Sequence, residues 1–206
     1  MKKEIDTIYA RHSTRCFNPS FELSRELQTR ILEAGIKAPS AKNRQPWFFC
    51  VLDNKDDIYR VVNIIDNKLA NLKLQRRANH IDTKSLDMAS ETVEILKGVS
   101  CLVFVCYIRE GSDIHNEKMD WSLDAQAFEI SDVLSIGACV ENMLLVAEAL
   151  DIDSLWICDI FYAERELAKY LQTDNPIVSA VAFGKALDEP DYRAGRRGII
   201  EKTKWF

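Results

Sequence analysis

Five residues near the amino terminus, Arg11-His12-Ser13-Thr14-Arg15, bring together two guanidinium groups, an imidazole and two hydroxyls with no carboxylate among them. A guanidinium fork pairs with phosphate oxygens through parallel hydrogen bonds, and a neighbouring hydroxyl such as that of Ser13 adds another. The same cations would also suit the C-terminal dipole of a short, solvated helix. A second polar set reads Ala38-Pro39-Ser40-Ala41-Lys42-Asn43-Arg44-Gln45-Pro46-Trp47. Its two prolines pin the backbone of a loop. Between them Ser40, Asn43 and Gln45 each donate and accept hydrogen bonds, as groups that read a heteroaromatic edge or sugar hydroxyls must. A polar turn ahead of a buried Trp47 fits the local sequence equally well.

Other chemistries lack their residues. There is no Gly-x-Gly-x-x-Gly and no glycine-rich phosphate loop, so a bound phosphate would rest on side-chain cations. No Gly-x-Ser-x-Gly elbow occurs. His12, His80 and His115 lack ligand spacing, and no metal is expected. The six cysteines form no Cys-x-x-Cys pair. Cys50, Cys101, Cys106 and Cys139 lie in apolar stretches, where cysteine serves as a small buried hydrophobe. With no secretory signal, all six including Cys16 and Cys158 read as reduced thiols.

The elements that must carry these residues follow from periodicity. Residues 4–10 place Ile5, Ile8 and Tyr9 on one helical face. Ser24 is a suitable N-cap for a second helix that turns Leu27, Ile31, Ala34 and Ala38 inward and stops before Pro39. Residues 47–52 read as a strand, 56–78 and 85–97 as helices with one polar side, and 100–108 as a buried strand. A long helix over about 125–150 carries Phe128, Val133, Ile136, Val140, Met143, Leu144 and Ala147, and at 1.5 Å per residue it would be about 39 Å long. It is read as the central core helix, a dimer seam, or both. Its Glu129, Asp132, Glu141 and Glu148 argue against a membrane span. Then come a short strand at 155–157, a helix at 163–171 and a strand at 177–183. The tail from Asp188 has no periodicity and contains Arg193, Arg196 and Arg197. Helices and strands alternate, which predicts a mixed α and β class with three layers around one sheet.

Bulk properties set the frame. The 206 residues are 47% hydrophobic and 29% charged, as expected of one domain over 1–206 with a substantial core. The net charge of −5 does not suggest a nucleic-acid surface. The charged first residues lack the apolar core of a signal peptide, and the longest wholly apolar run, 101–108, is far too short to span a bilayer. A cytoplasmic location without membrane attachment is expected.

In these segments the chain resembles the nitroreductase-like flavoprotein family. That family opens with a short helix ending in Arg-Arg/His-Ser-x-Arg/Lys and continues with Ala-Pro-Ser-x-x-Asn-x-Gln-Pro-Trp-x-Phe, which residues 38–49 match. Its long helix begins near an Asp and runs through Gly-Ala to Asn-Met/Leu-Leu-Leu-x-Ala, matched here by Asp132, Gly137-Ala138 and Asn142-Met143-Leu144-Leu145-Val146-Ala147. A Trp-Ile strand (Trp156-Ile157), a Phe-Gly (Phe183-Gly184) and a basic tail (Arg196-Arg197) follow in order.

The resemblance implies an α+β, three-layer α/β/α fold with a mainly antiparallel central sheet, assembled as an intertwined homodimer. It implies a bound FMN with NADH or NADPH as co-substrate. Two-electron, ping-pong hydride transfer would then serve a small-molecule acceptor such as a nitroaromatic or quinone. Arg11, His12, Ser13, Arg15 and one of Arg196 and Arg197 would surround the phosphate and ribityl chain. Pro39, Ser40, Asn43 and Gln45 would reach the flavin, often from the partner subunit, and Trp156, Ile157 and Cys158 would face its reactive edge. No catalytic side chain is required. Two departures matter. Cys158-Asp159 stand where the family commonly has Gly, and residues 55–120 are short and polar without an aromatic cluster to indicate the acceptor. A specialised flavin dehydrogenase, dehalogenase or flavin-cleaving enzyme of the same superfamily stays open, as does a flavin-binding redox protein with little turnover.

Overall fold

The computed structural model describes residues 4–108, 124–188 and 195–205. In chain order the elements are α1 (Glu4–Ala10), α2 (Arg25–Gly35), β1 (Trp47–Leu52), α3 (Lys55–Ala78), α4 (Lys84–Leu96), β2 (Cys101–Tyr107), α5 (Asp124–Ala149), β3 (Asp153–Ile157), α6 (Glu164–Leu171) and β4 (Ile177–Gly184). His115, Arg193 and the side chains of Ile5 and Phe128 lie outside the described residues.

The four strands form one antiparallel sheet in the order β1-β2-β4-β3. Val51 pairs with Val103, Val103 with Val181 and Leu155 with Ala182. The two central strands are apolar at nearly every position because both of their faces are covered. Alternation along β2 sends Leu102, Phe104 and Cys106 to one core and Cys101, Val103 and Val105 to the other. The first core is closed by α3 and α4 through residues such as Val61, Ile65, Leu69, Leu86 and Val93, with α6 adding Leu167. The second is closed by α2 and α5 through Ile31, Ile136, Val140, Met143 and Ala147. The expected three-layer α/β/α arrangement follows.

Local chemistry explains the element boundaries. Ser24 caps α2 by accepting the Leu27 amide, and Asn54 caps α3 by accepting the Asp57 amide. Helix α2 stops earlier than its sequence suggests, at Gly35. The amides of Lys37 and Ala38 bond three residues back, to Ala34 and Gly35. The turn tightens there, because Pro39 forbids a continuing helix. Ala38 is still buried, from that turn, whereas Leu27 and Ala34 are only half-buried. Cys50 is likewise half-buried, in contrast to the fully buried Cys101, Cys106 and Cys139.

In α5 the stretch Glu129–Ala149 is long and apolar enough by composition to cross a membrane. Here one side of it packs on the sheet, while Ile130, Val133 and Leu134 face outward. The outward position of Val133 departs from its place in the periodic core set. Ile8 and Tyr9 of α1 also stay exposed, Tyr9 at 82%.

The segment after α1 is held by glycines. A Cβ on Gly98 would sit 2.8 Å from the carbonyl oxygen of Phe17, and one on Gly184 would sit 2.8 Å from the Phe17 ring. Phe17 also bridges Ala186. Both glycines therefore let Phe17 seat the chain that carries residues 11–15. Replacing Gly98 with Ala forces backbone apart in a packed site, which costs about 1–3 kcal/mol. The Gly98→Ala variant should lower the thermal midpoint by roughly 2–12 °C, at the 2–4 °C per kcal/mol typical of this chain length. Scanning calorimetry checks this.

Candidate active site

Beyond α1 the chain does not stay helical. Ser13 forms a parallel bridge with Ser154 at the start of β3, and the Thr14 amide donates to the Ser154 carbonyl at 3.0 Å. This pairing lays residues 11–15 along the β3 edge of the sheet. No basic residue lies in the last turn of α1. Arg11 reaches Glu141 of α5 at 3.6 Å, and Arg15 donates to the Ser13 carbonyl at 3.3 Å. Ser13 and Arg15 are exposed, and Arg11 is half-buried.

One carboxylate organises the segment from behind. Asp153 accepts the Thr14 hydroxyl at 3.3 Å through Oδ1 and the Ala186 amide at 2.8 Å through Oδ2. His12 Nε2 lies 3.9 Å from Oδ1, and Nδ1 lies 3.3 Å from the Ala10 carbonyl. Sequence reading found five donors and no acid here. The tertiary structure supplies Asp153 and Glu141, whose distance along the chain gave no local signal.

The second segment is a loop with left-handed backbone. Ala41–Asn43 form a single 3-10 turn, and Lys42, Asn43 and Gln45 have φ of 51°, 55° and 51°. Left-handed geometry costs an ordinary L-residue about 1–2 kcal/mol, and Asn tolerates it best. The Gln45 amide donates to Ser40 Oγ at 3.0 Å, and the Asn43 amide donates to the Ser40 carbonyl at 3.0 Å. Pro39, Asn43 and Gln45 are exposed and Ser40 is half-buried, while Trp47 is buried in the α2–α5 core. The turn with a buried tryptophan and the exposed polar set thus coexist. The loop rests on α5, with the Ala41 amide donating to Ser135 Oγ at 3.3 Å and Arg44 bonding Ser131 and Asp132.

The end of β3 is the third group. Trp156 is 40% exposed and packs over Gly137 of α5, 3.9 Å from the position of an added Cβ. Ile157 is buried and Cys158 exposed, so Cys158 is not part of the core. Partial desolvation and the Asp159 carboxylate raise its thiol above the ordinary value, so it stays protonated near neutral pH. Asp159 itself accepts the Thr92 hydroxyl at 2.6 Å.

All three groups meet α5, at Ser131 to Ser135, at Gly137 and at Glu141 in turn. Within one chain they are strung along about 15 Å of helix rather than gathered at one point. Arg196 and Arg197 are exposed on the terminal segment, ahead of a 3-10 turn at Ile199–Lys202. Among the described residues no cluster of His, Cys, Asp or Glu could hold a metal ion.

The Nitroreductase family model matches residues 8–185. A relative from Archaeoglobus fulgidus, described as a "Putative NADH dehydrogenase/NAD(P)H nitroreductase", is 27% identical over 100% of both chains. Among solved structures, a BluB-like flavoprotein from Clostridium difficile aligns over 100% of both chains with a TM-score of 0.83 at 21% identity. A nitroreductase from Desulfovibrio desulfuricans, described as "putative" and solved in complex with FMN, aligns over 98% of this chain and 96% of its own with a TM-score of 0.70 at 25% identity.

The Asp153 contacts generate a stability prediction. Asp153→Ala leaves the Thr14 hydroxyl and the Ala186 amide without their acceptor, which costs about 1–3 kcal/mol. Thr14→Val removes one of these bonds and should cost about 1 kcal/mol. Urea denaturation should show both midpoints lowered in that order, with the slope of the transition unchanged.

Proposed function

The chain belongs to the nitroreductase family, and from that premise we propose that it is an FMN-dependent NAD(P)H oxidoreductase reducing nitroaromatics, quinones or similar electron-poor acceptors. The observation that carries the reading is the pairing of Ser13 with Ser154 of β3, which presents exposed Ser13 and Arg15 at the edge of the sheet with no glycine cradle. When bound, FMN supplies two-electron hydride exchange between NADH or NADPH and the acceptor.

The residues present fit such a cofactor. Arg11 and Arg15 offer guanidinium forks for one phosphate, and the Ser13 hydroxyl adds a donor. Glu141 does not preclude this, since its side chain is 45% exposed and its contact to Arg11 is long at 3.6 Å. His12 is oriented by the Ala10 carbonyl and Asp153. Ser40, Asn43 and Gln45 present polar groups from a backbone held in an unusual conformation, and Trp156 to Cys158 end the β3 edge. The Cys158 thiol, kept protonated, is a weak donor rather than a nucleophile. Arg196 or Arg197 would complete the phosphate site from the tail.

A second copy of the chain completes this reading. Among the described residues, the three groups are spread along α5 rather than gathered around one flavin site. The outward Ile130, Val133 and Leu134 of α5, the last 69% exposed, lie on the same helix. Covering them and Tyr9 by a partner would bring loop 39–45 of one chain to residues 11–15 of the other. Obligate interfaces of this kind bury on the order of 2,000–5,000 Å². Light scattering at micromolar concentration should report a flavin-loaded dimer, and a stable flavin-loaded monomer would contradict it.

The central test is of cofactor and turnover together. The purified protein should release FMN on heating, identified by chromatography, and should oxidise NADH or NADPH only when an acceptor is supplied. Recovery of FAD alone, or of no flavin after reconstitution, would overturn the assignment. In the Arg11→Ala/Arg15→Ala double variant each lost charge-assisted contact is worth roughly 1.5–3 kcal/mol, so FMN affinity should fall about a hundredfold or more. Riboflavin, which lacks the phosphate, should lose much less. Equal losses for the two ligands would remove these arginines from the phosphate site.

A further inference from the structure

We propose that Arg44, Asp132 and Tyr107 form a positioning clamp that holds the loop at 39–45 in its ligand-binding conformation without touching the ligand. The inference rests on the flavin reading given above for what the loop binds, but the clamp itself stands on this chain's own geometry.

The loop needs an external anchor. Lys42, Asn43 and Gln45 are left-handed at φ of 51–55°, and Arg44 between them is right-handed at φ −70° and ψ −24°. None of the three left-handed residues is glycine, so a free segment of this sequence would relax toward ordinary backbone. The bonds inside the loop, from the Gln45 and Asn43 amides to Ser40 and from the Arg44 amide to Ala41, move with it and cannot fix it to the fold.

The alternation of backbone handedness points Asn43 and Gln45 outward and Arg44 inward. Arg44 donates to Asp132 Oδ1 through Nε at 2.9 Å and Nη2 at 2.6 Å, and Nη2 also donates to Ser131 Oγ at 2.8 Å. The other carboxylate oxygen, Oδ2, accepts the Tyr107 hydroxyl at 3.0 Å. One carboxylate therefore ties the loop to α5 and to the end of β2. Asp132 is only 5% exposed, and a carboxylate withdrawn from water needs its cationic partner in place. The fork of arginine sets direction as well as distance, which a lysine ammonium cannot do. Arg44 stands at one of the unassigned positions of the motif that carries the family resemblance, and it makes no contact that the flavin reading requires. Its effect on a ligand passes through Ser40, Asn43 and Gln45.

Because the loop reaches the flavin away from the phosphate in that reading, breaking the clamp must weaken FMN and riboflavin alike. That signature is opposite to the FMN-selective loss expected from Arg11 and Arg15. The test uses the full-length protein and the variants Arg44→Met, Arg44→Lys and Asp132→Asn. Amide hydrogen exchange of residues 41–45 is followed in the flavin-free protein, and FMN and riboflavin titrations follow flavin fluorescence. In Arg44→Met and Asp132→Asn the loop amides should exchange at least tenfold faster while those of β2 and β4 are unchanged. Both flavins should bind about tenfold or more weakly, by the same factor. Arg44→Lys should resemble Arg44→Met rather than the parent, since charge alone does not restore the fork.

Tyr107→Phe removes one hydrogen bond and no charge, so it serves if the other variants do not fold. It should speed loop exchange about threefold and weaken both flavins by a similar factor. Unchanged loop exchange in folded variants, full rescue by Arg44→Lys, or a loss confined to FMN would overturn the clamp. Failure of the parent protein to bind either flavin would defeat the functional reading instead, and the clamp would then stand or fall on the exchange rates.

Discussion

Strands β2 and β4 are apolar on both faces, and a strand of that kind exists only between two covering layers. Residues such as Leu102, Phe104, Val105 and Val181, none more than 2% exposed, are each worth roughly 1.5–3 kcal/mol when withdrawn from water. That gain is available only if α3 and α4 lie against one face and α2 and α5 against the other. The rest of the structure is arranged around this requirement. Because α5 must run across the sheet to cover it, three polar segments at the sheet's edges meet α5 along its length. The loop before β1, the end of β3 and the segment after α1 all do so, which is how three polar stretches far apart in the chain come to share one helix.

Electrostatics then fixes those stretches in place. Each basic motif has an acid behind it, Asp132 behind Arg44, Asp153 behind His12 and Thr14, and Glu141 beside Arg11. These acids differ in exposure and so in purpose. Asp132 and Asp153 are withdrawn from water and hold backbone in position, whereas Glu141 is nearly half exposed and its contact is long. A surface ion pair of the latter kind contributes little to stability, so Glu141 holds Arg11 only loosely. The donors that remain outward are Ser13, Arg15, Asn43 and Gln45, and the side-chain bonds of Arg15 and Gln45 stay within their own segments.

The cysteines divide along the same lines. Burial pushes the thiols of Cys101 and Cys139 up to about 12, so they act as small hydrophobes. Cys50 and Cys106 lie diagonally across β1 and β2, on the same face of the sheet. Their mutual hydrogen bond lowers Cys50 to about 7 and raises Cys106. Diagonal neighbours in an antiparallel pair have Cα atoms about 7–8 Å apart, near or beyond the reach of an unstrained disulfide. The pair is therefore a thiol–thiol contact at the edge of the α3–α4 core, where Cys50 is half-buried.

Much of this was legible in the residues themselves. Period-3.6 patterns, the Ser24 cap and apolar runs such as the unbroken one at 101–108 located the helices and strands, because such signals arise from neighbours in the chain. The polar sets at 11–15 and 38–47 were legible for the same reason, as was the resemblance they carry. Other features depend on chain segments meeting across long separations, and only the tertiary structure decided them. Arg44 and Asp132 are 88 residues apart and Thr14 and Asp153 are 139 apart, so no window of sequence could pair them. The strand order β1-β2-β4-β3, the exposure of Cys158 and the outward turn of Val133 likewise depend on which faces are covered. The left-handed backbone at Lys42, Asn43 and Gln45 runs against the local preference of those residues. Such a conformation persists where surrounding contacts over-determine it, and those contacts come from a helix nearly ninety residues further along the chain.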